Sequence, residues 1–258
     1  MNRKNKPDIF QKSVAMIFRR ALSLRYKIII SGKSLLWSDC PKLFLPNHQS
    51  LVDPIIIISE IFKYQKVSPA VSATYFKNKL FRFILKQINA IPVTDLERTG
   101  NRDTNVLEKM LDDILFTLSS GRNALIYPSG QLSQQQEEKI KNKQGVYRLI
   151  PLLPSEVKII GIRVNGLWGS SWSRAATGKT PDFMHIFWKS VLFLVKHGIF
   201  FSPRRKVFLE LSDITTMVKK NAATLNRYSF NSKLENFFNK NSKKILVNNQ
   251  THKTSQYK

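Results

Sequence analysis

Two residues in the stretch Leu43-Phe44-Leu45-Pro46-Asn47-His48-Gln49-Ser50-Leu51-Val52-Asp53-Pro54 can do proton chemistry. A neutral imidazole at His48 can take a proton from a substrate hydroxyl. A carboxylate at Asp53 can hold the other ring nitrogen, fix its tautomer and stabilise the imidazolium. On one continuous helix, residues five apart point about 140° away from each other. The pair meets only if the chain turns between them, and Pro46, Asn47 and Pro54 predict such a turn. A dyad without a protein nucleophile suits direct transfer of an acyl group to an alcohol. The same residues also read as a helix start, with Asp53 as N-cap and Pro54 at the first helical position.

A second polar turn follows a short apolar run in Ala124-Leu-Ile-Tyr-Pro128-Ser129-Gly130-Gln-Leu-Ser133. Backbone N–H groups and hydroxyls at such a turn can hold a phosphate. An ordinary surface turn has the same composition. The segment Gly166-Leu-Trp168-Gly169-Ser170-Ser171-Trp172-Ser173-Arg174 offers indole faces and hydroxyls to a pocket, or packs as a loop. The other histidines, at 185, 197 and 252, lack ligand-like spacing, so neither metal nor cofactor is expected. No Gly-x-Ser-x-Gly elbow is present.

The elements that must position these residues alternate between strand and helix. Strands are expected at Lys42–Leu45, Val67–Ser72, Ala90–Val93, Ala124–Tyr127, Val157–Val164 and Lys206–Leu211. Helices are expected at 54–64, 76–87 and 104–118, the last with Val106, Leu107, Met110, Leu111, Ile114, Leu115 and Leu118 on one face. Such alternation predicts an α/β fold: a single domain with a largely parallel or mixed central sheet flanked by helices. His48 should then lie just beyond the C-terminal end of a strand, where α/β sheets carry their sites.

The chain is expected to divide into a basic amphipathic helical segment (1–34), a catalytic domain (35–218) and a basic, Asn-rich tail (219–258), partly disordered, with room for one further helix. Residues 8–24 place Ile9, Phe10, Val14, Ile17, Phe18, Ala21 and Leu22 at helical spacing. Residues 184–201 are apolar but carry Lys189, Lys196 and His197 on one face. Both segments suit either core packing or an interfacial helix.

Lys and Arg number 42 against 17 acids, a net charge of +25 that calls for a polyanionic partner. The charge permits an alternative, a basic nucleic-acid-binding protein without acyl-transfer activity. But the basic residues are spread along the chain without a zinc-finger, RNA-recognition or helix-turn-helix signature, so no nucleic-acid partner is expected. An anionic membrane surface is the better match, each nearby basic residue contributing about 1 kcal/mol. No apolar run reaches the roughly 18 residues of a spanning helix, and the N-terminus does not read as a secretory signal. The single cysteine, Cys40, excludes an intrachain disulfide and fits a reducing compartment. Peripheral or monotopic attachment to the cytoplasmic face of a membrane is expected.

Asn47-His48-x4-Asp53 resembles the His-x4-Asp motif of the glycerolipid acyltransferases, the group that contains 1-acylglycerol-3-phosphate acyltransferase. Further blocks follow in the family's order over about residues 35–211. Ala90-Ile91-Pro92-Val93 looks like the second, and Tyr127-Pro128-Ser129-Gly130 stands where Phe-Pro-Glu-Gly is usual. Asn142-Lys143-Gln144-Gly145 is similar to the Lys-x-Gly that follows, and Val157–Arg163 to the last block. Three positions depart: Asp95 and Leu132 stand where the family has Arg, and Ser129 where it has Glu. The resemblance implies transfer of an acyl group from acyl-CoA or acyl-acyl-carrier-protein to a lysophospholipid, with His48 as base and Asp53 orienting it. It further implies substrate contacts from Asn47, Pro128, Ser129, Gly130, Ser133 and Lys143. Arg98 and Arg102 lie close to the departed Arg position and can substitute for it.

Overall fold

The computed structural model describes residues 5–93, 104–175, 177–196 and 204–240. Among these, seven strands form one sheet in the order β1-β7-β6-β2-β5-β3-β4. The strands are β1 (Tyr26–Ser31), β2 (Lys42–Pro46), β3 (Ser68–Ser72), β4 (Ile91–Val93), β5 (Ala124–Leu125), β6 (Lys158–Asn165) and β7 (Arg205–Asp213). All pairings are parallel except β6 with β7, which is antiparallel. The fold is thus a single α/β domain on a mixed sheet.

Side-chain alternation along β2 divides the core into two layers. Leu43 and Leu45 face one layer and Phe44 the other, and all three are fully buried. A central strand covered on both faces buries every position, as β2 does. The Leu43 layer is closed by α4 (Thr104–Ser119), the short α5 (Gly145–Leu149), α7 (Thr215–Thr224) and α8 (Arg227–Asn239). The Phe44 layer is closed by α1 (Ile9–Ser23) and α2 (Asp53–Ile61). Away from the site, Lys42 is fully buried with its ammonium on the carbonyls of Ser38 and Cys40 and on Gln65 Oε1. Burial lowers its pKa, and the three acceptors offset that cost.

Several elements differ from the sequence expectation. Residues 26–31 were expected within the N-terminal helical segment but form β1, whose Ile28-Ile29-Ile30 run pairs with β7. The helix expected over 76–87 is a 3₁₀ turn (Ala73–Lys77) followed by α3 (Lys79–Gln87). Asn78 divides the two by accepting the N–H groups of Leu80 and Phe81 as an N-cap. One helix was expected beyond 219; among the described residues α8 lies there and α7 extends into that stretch, and Phe230, Leu234 and Phe238 of α8 enter the core. The boundary expected at 218 therefore falls inside α7, and the packed domain continues through α8. The packed face of α1 is also shifted. Gln11, Ala15 and Leu22 are buried, whereas Ile9, Met16 and Ile17 face outward.

Gly161 lies on β6 where the ring of Phe237 crosses it. A Cβ there would come within 2.5 Å of that ring and 2.9 Å of Ile214 Cδ1. Gly161→Ala should therefore lower stability by about 1–3 kcal/mol, the usual cost of overpacking, as read by thermal melting. An unchanged melting temperature would show that α8 gives way freely.

Candidate active site

The chain leaves β2 at Pro46 and is clamped at once. Asn47 donates from Nδ2 to the Val164 carbonyl (3.1 Å) and accepts the Val164 N–H at Oδ1 (2.6 Å). This fastens the end of β2 to β6. His48 follows, two residues past the strand.

The loop then folds back on Asp53. His48 Nδ1 lies 3.2 Å from Asp53 Oδ2, and the same oxygen accepts the N–H groups of Gln49 (2.5 Å) and Ser50 (3.0 Å). Asp53 is fully buried, whereas the His48 side chain keeps 15% of its surface exposed. An acceptor oxygen with two backbone donors already on it puts the ring proton on Nδ1. Nε2 is left with its lone pair on the partly exposed ring. Asp53 is the first residue of α2, and the N-cap position belongs to Val52. Its carboxylate reaches back to the preceding loop and not forward to cap its own helix.

The backbone of His48 is held as firmly as its ring. Its N–H donates to Glu138 Oε2 (3.0 Å) and its carbonyl accepts the Ser133 N–H (2.7 Å). Ser133 Oγ donates to the same carboxylate oxygen (3.0 Å). Glu138 is fully buried; burial raises its pKa, opposed by the His48 N–H. The Tyr127 ring lies over the His48 ring at 4.2 Å between centroids. Burial, then the Asp53 and Glu138 carboxylates, push the Tyr127 phenol well above its ordinary pKa, so it remains neutral.

A third loop completes the wall. Gln49 Oε1 accepts the N–H groups of Leu167 and Trp168, and the Trp172 carbonyl accepts that of Leu51. The Trp- and Ser-rich segment 166–174 therefore sits directly against the His48 loop. Among the described residues, no group of three His, Cys, Asp or Glu side chains is placed to hold a metal ion.

A family model described as Acyltransferase matches residues 27–164, more than half of the chain. The chain belongs to the acyltransferase family. The fold agrees with that of a solved member, the 1-acyl-sn-glycerophosphate (LPA) acyltransferase PlsC from Thermotoga maritima. The two share 14% sequence identity with a TM-score of 0.53, over 83% of this chain and 78% of that one. No curated protein sequence is significantly similar.

Within this acyltransferase, the residues expected to bind substrate fall into three groups. Asn47, Ser129 and Ser133 are buried and commit their side chains internally, Ser129 Oγ donating to the Gln131 carbonyl at 2.9 Å. Their side-chain hydrogen bonds hold the loops together. Pro128 is buried, Gly130 is exposed with φ +63° at the turn, and Lys143 is half-buried. Arg98 and Arg102 lie outside the described residues. The sequence reading missed Glu138 and Gln49. The available signal for Glu138 was the absence, at position 129, of the acid usual in that block.

Asn47→Ala should cost stability, because a buried Val164 N–H loses its partner; the expected loss is about 1–3 kcal/mol. If Asn47 is only this clamp, the Michaelis constant for acceptor stays within about threefold in the folded variant. A large rise in that constant with unchanged melting would instead return Asn47 to the binding site.

Proposed function

We propose that this acyltransferase moves a fatty acyl group from an acyl thioester to a hydroxyl of a lysophospholipid at a membrane surface. The observation that carries this reading is the 3.2 Å contact between His48 Nδ1 and buried Asp53, with Nε2 free on a partly exposed ring. Nε2 takes the proton from the acceptor hydroxyl as its oxygen attacks the thioester carbonyl carbon. Asp53 stabilises the imidazolium that forms. The tetrahedral intermediate then expels the thiolate, the C–S bond breaks, and the proton passes from Nε2 to sulfur. An ester and a free thiol result. No protein nucleophile takes part. Either acyl-CoA or acyl-acyl-carrier-protein can donate, and Arg98, Arg102 and Lys143 are the basic residues proposed to meet phosphate.

The surface supports a lipid partner. No described helix is long and apolar enough to cross a membrane. Three helices instead turn large apolar side chains outward: Ile9 and Ile17 on α1, Leu80 and Phe83 on α3, and Trp188 and Leu192 on α6 (Phe183–Lys196). Ring contacts Phe10–Phe83 and Phe81–Phe183 join the three into one rim. Trp172 reaches Phe183 at 5.5 Å, so the rim is continuous with the wall of the site. Exposed Lys12, Arg20, Arg82 and Lys189 supply positive charge to the same helices. The proposed docking face is peripheral and cytoplasmic.

Turnover of purified variants tests the chemistry, using acyl-CoA and acyl-carrier-protein donors with a lysophospholipid panel read by lipid mass spectrometry. His48→Ala should lose at least about 10²–10⁴-fold in rate. Asp53→Asn should still fold, with a lowered melting temperature because its charge-assisted hydrogen bonds weaken, and turn over slowly, since an amide stabilises imidazolium poorly. Near-wild-type activity in His48→Ala would end this mechanism.

Vesicle sedimentation tests the surface. High salt should weaken binding to anionic vesicles without abolishing it, and Leu192→Asp should remove about tenfold or more of what remains. Full release of the wild-type chain by salt alone would leave only an electrostatic contact.

A further inference from the structure

Glu138 belongs to no strand or helix, yet it is among the most completely buried residues of the protein. A carboxylate withdrawn from water is costly, so it persists only where its contacts repay it. The hydrogen bonds of its carboxylate lead to the dyad: Oε2 accepts the His48 N–H and the Ser133 hydroxyl, and the Ser133 backbone N–H donates to the His48 carbonyl. The His48 peptide is therefore gripped on both sides by segment 133–138. Oε1 has no hydrogen-bond partner among the described residues.

The grip is anchored from the far end of the chain. Asn239 on α8 accepts the Glu138 N–H (2.9 Å) and donates to its carbonyl (3.0 Å). One turn earlier, Glu235 Oε1 accepts the N–H groups of Ile140 and Lys141 (2.5 and 2.8 Å). One turn before that, Asn231 donates to the carbonyls of Lys141 and Lys143 (2.8 and 2.9 Å). Residues 231, 235 and 239 lie four apart, on one face of the helix. Phe230, Leu234 and Phe238 fix the helix itself in the core. A continuous chain of hydrogen bonds thus runs from α8 to the backbone of the base.

We infer that Glu138 is a positioning residue for His48, held in place by the Asn231-Glu235-Asn239 face of the C-terminal helix. It touches no reacting atom. It fixes where the imidazole stands relative to Asp53 and the acceptor hydroxyl, and a misplacement of about 1 Å in such a group can cost about 10²-fold in rate. The inference rests on the acyl-transfer reading above.

The test compares wild type with Glu138→Met, Glu138→Gln and Asn239→Ala in the full chain. It uses both acyl-CoA and acyl-acyl-carrier-protein with a lysophospholipid in mixed micelles. Glu138→Met leaves the buried His48 N–H without an acceptor, so kcat should fall about 100-fold while KM moves less than about threefold. Glu138→Gln retains a carbonyl acceptor and should recover most of that loss. Asn239→Ala should lower kcat about 3–10-fold, with the melting transition still cooperative. A purely structural acid would not split kcat from KM in folded protein, nor be rescued by Gln. A folded Glu138→Met with wild-type kcat overturns the inference, and so does equal loss in Met and Gln. Should Glu138→Met fail to fold, unchanged kcat in Asn239→Ala overturns it instead. Amide exchange at His48 gives a readout independent of turnover: protected in wild type, and at least about tenfold faster in Glu138→Met. Full activity of His48→Ala would sink the acyl-transfer reading, while the exchange rates would still decide the grip on His48.

Discussion

Asp53 Oδ2 receives hydrogen bonds from three consecutive residues: the ring of His48 and the backbone N–H groups of Gln49 and Ser50. Hydrogen bonds to a charged group contribute about 1.5–3 kcal/mol each, well above neutral pairs. Three on one buried oxygen are enough to dictate the path of a short loop. Residues 47–52 wrap around that atom and deliver the imidazole to the end of the sheet. The position also suits the helix that follows, because a carboxylate in the first turn complements the positive end of the helix dipole. From this loop the order spreads. Gln49 carries it to residues 167 and 168, Leu51 to Trp172, and the His48 backbone to residues 133–138.

Two buried carboxylates thus bracket one histidine, Asp53 by the ring and Glu138 by the peptide. Neither would survive in an apolar core as an isolated charge. Each is tolerated because the loop it organises has backbone donors with no partners in secondary structure. The polar interior of this end of the sheet is the counterpart of the apolar layers around Leu43 and Phe44. The core fixes the strands, and the buried acids fix the loops the strands release. Lys42, Gln65 and Asn123 do similar service at the opposite end, where Asn123 Oδ1 accepts the Lys42 N–H and Nδ2 donates to Gln65 and to the Lys66 carbonyl.

Much of this was legible in the residue pattern. The face of α4 repeats at helical spacing, and the apolar runs of β2 and β6 are those of strands buried on both sides. The acyltransferase family followed from motif order. The losses have physical causes. Strand β1 is short and follows a basic helix without a turn signal, and its strand character depends on a partner far along the chain. Asn47, Ser129 and Ser133 have the residue types of a ligand-binding turn, and sequence does not show the internal partners that their side chains also find. Glu138 sits in a polar run with no periodicity, and its bond to His48 spans 90 residues. Contacts of that kind leave no local trace.

The pairing of β1 also bears on how the chain assembles during synthesis. Among the described strands, β1 touches only β7, and Tyr26 lies opposite Arg205, 179 residues later. At roughly 5–20 residues per second, its partner leaves the ribosome about 10–35 s after it does. Through that interval the Ile28-Ile29-Ile30 run waits as an unsatisfied edge, the kind of segment that associates with other nascent chains. Lys27, exposed and immediately before that run, supplies a charge that discourages such pairing. The antiparallel pairing of β7 with β6 then closes the sheet on a strand made long before. The nascent protein is therefore most exposed to misassembly just when nearly all of its active-site loops have already been made.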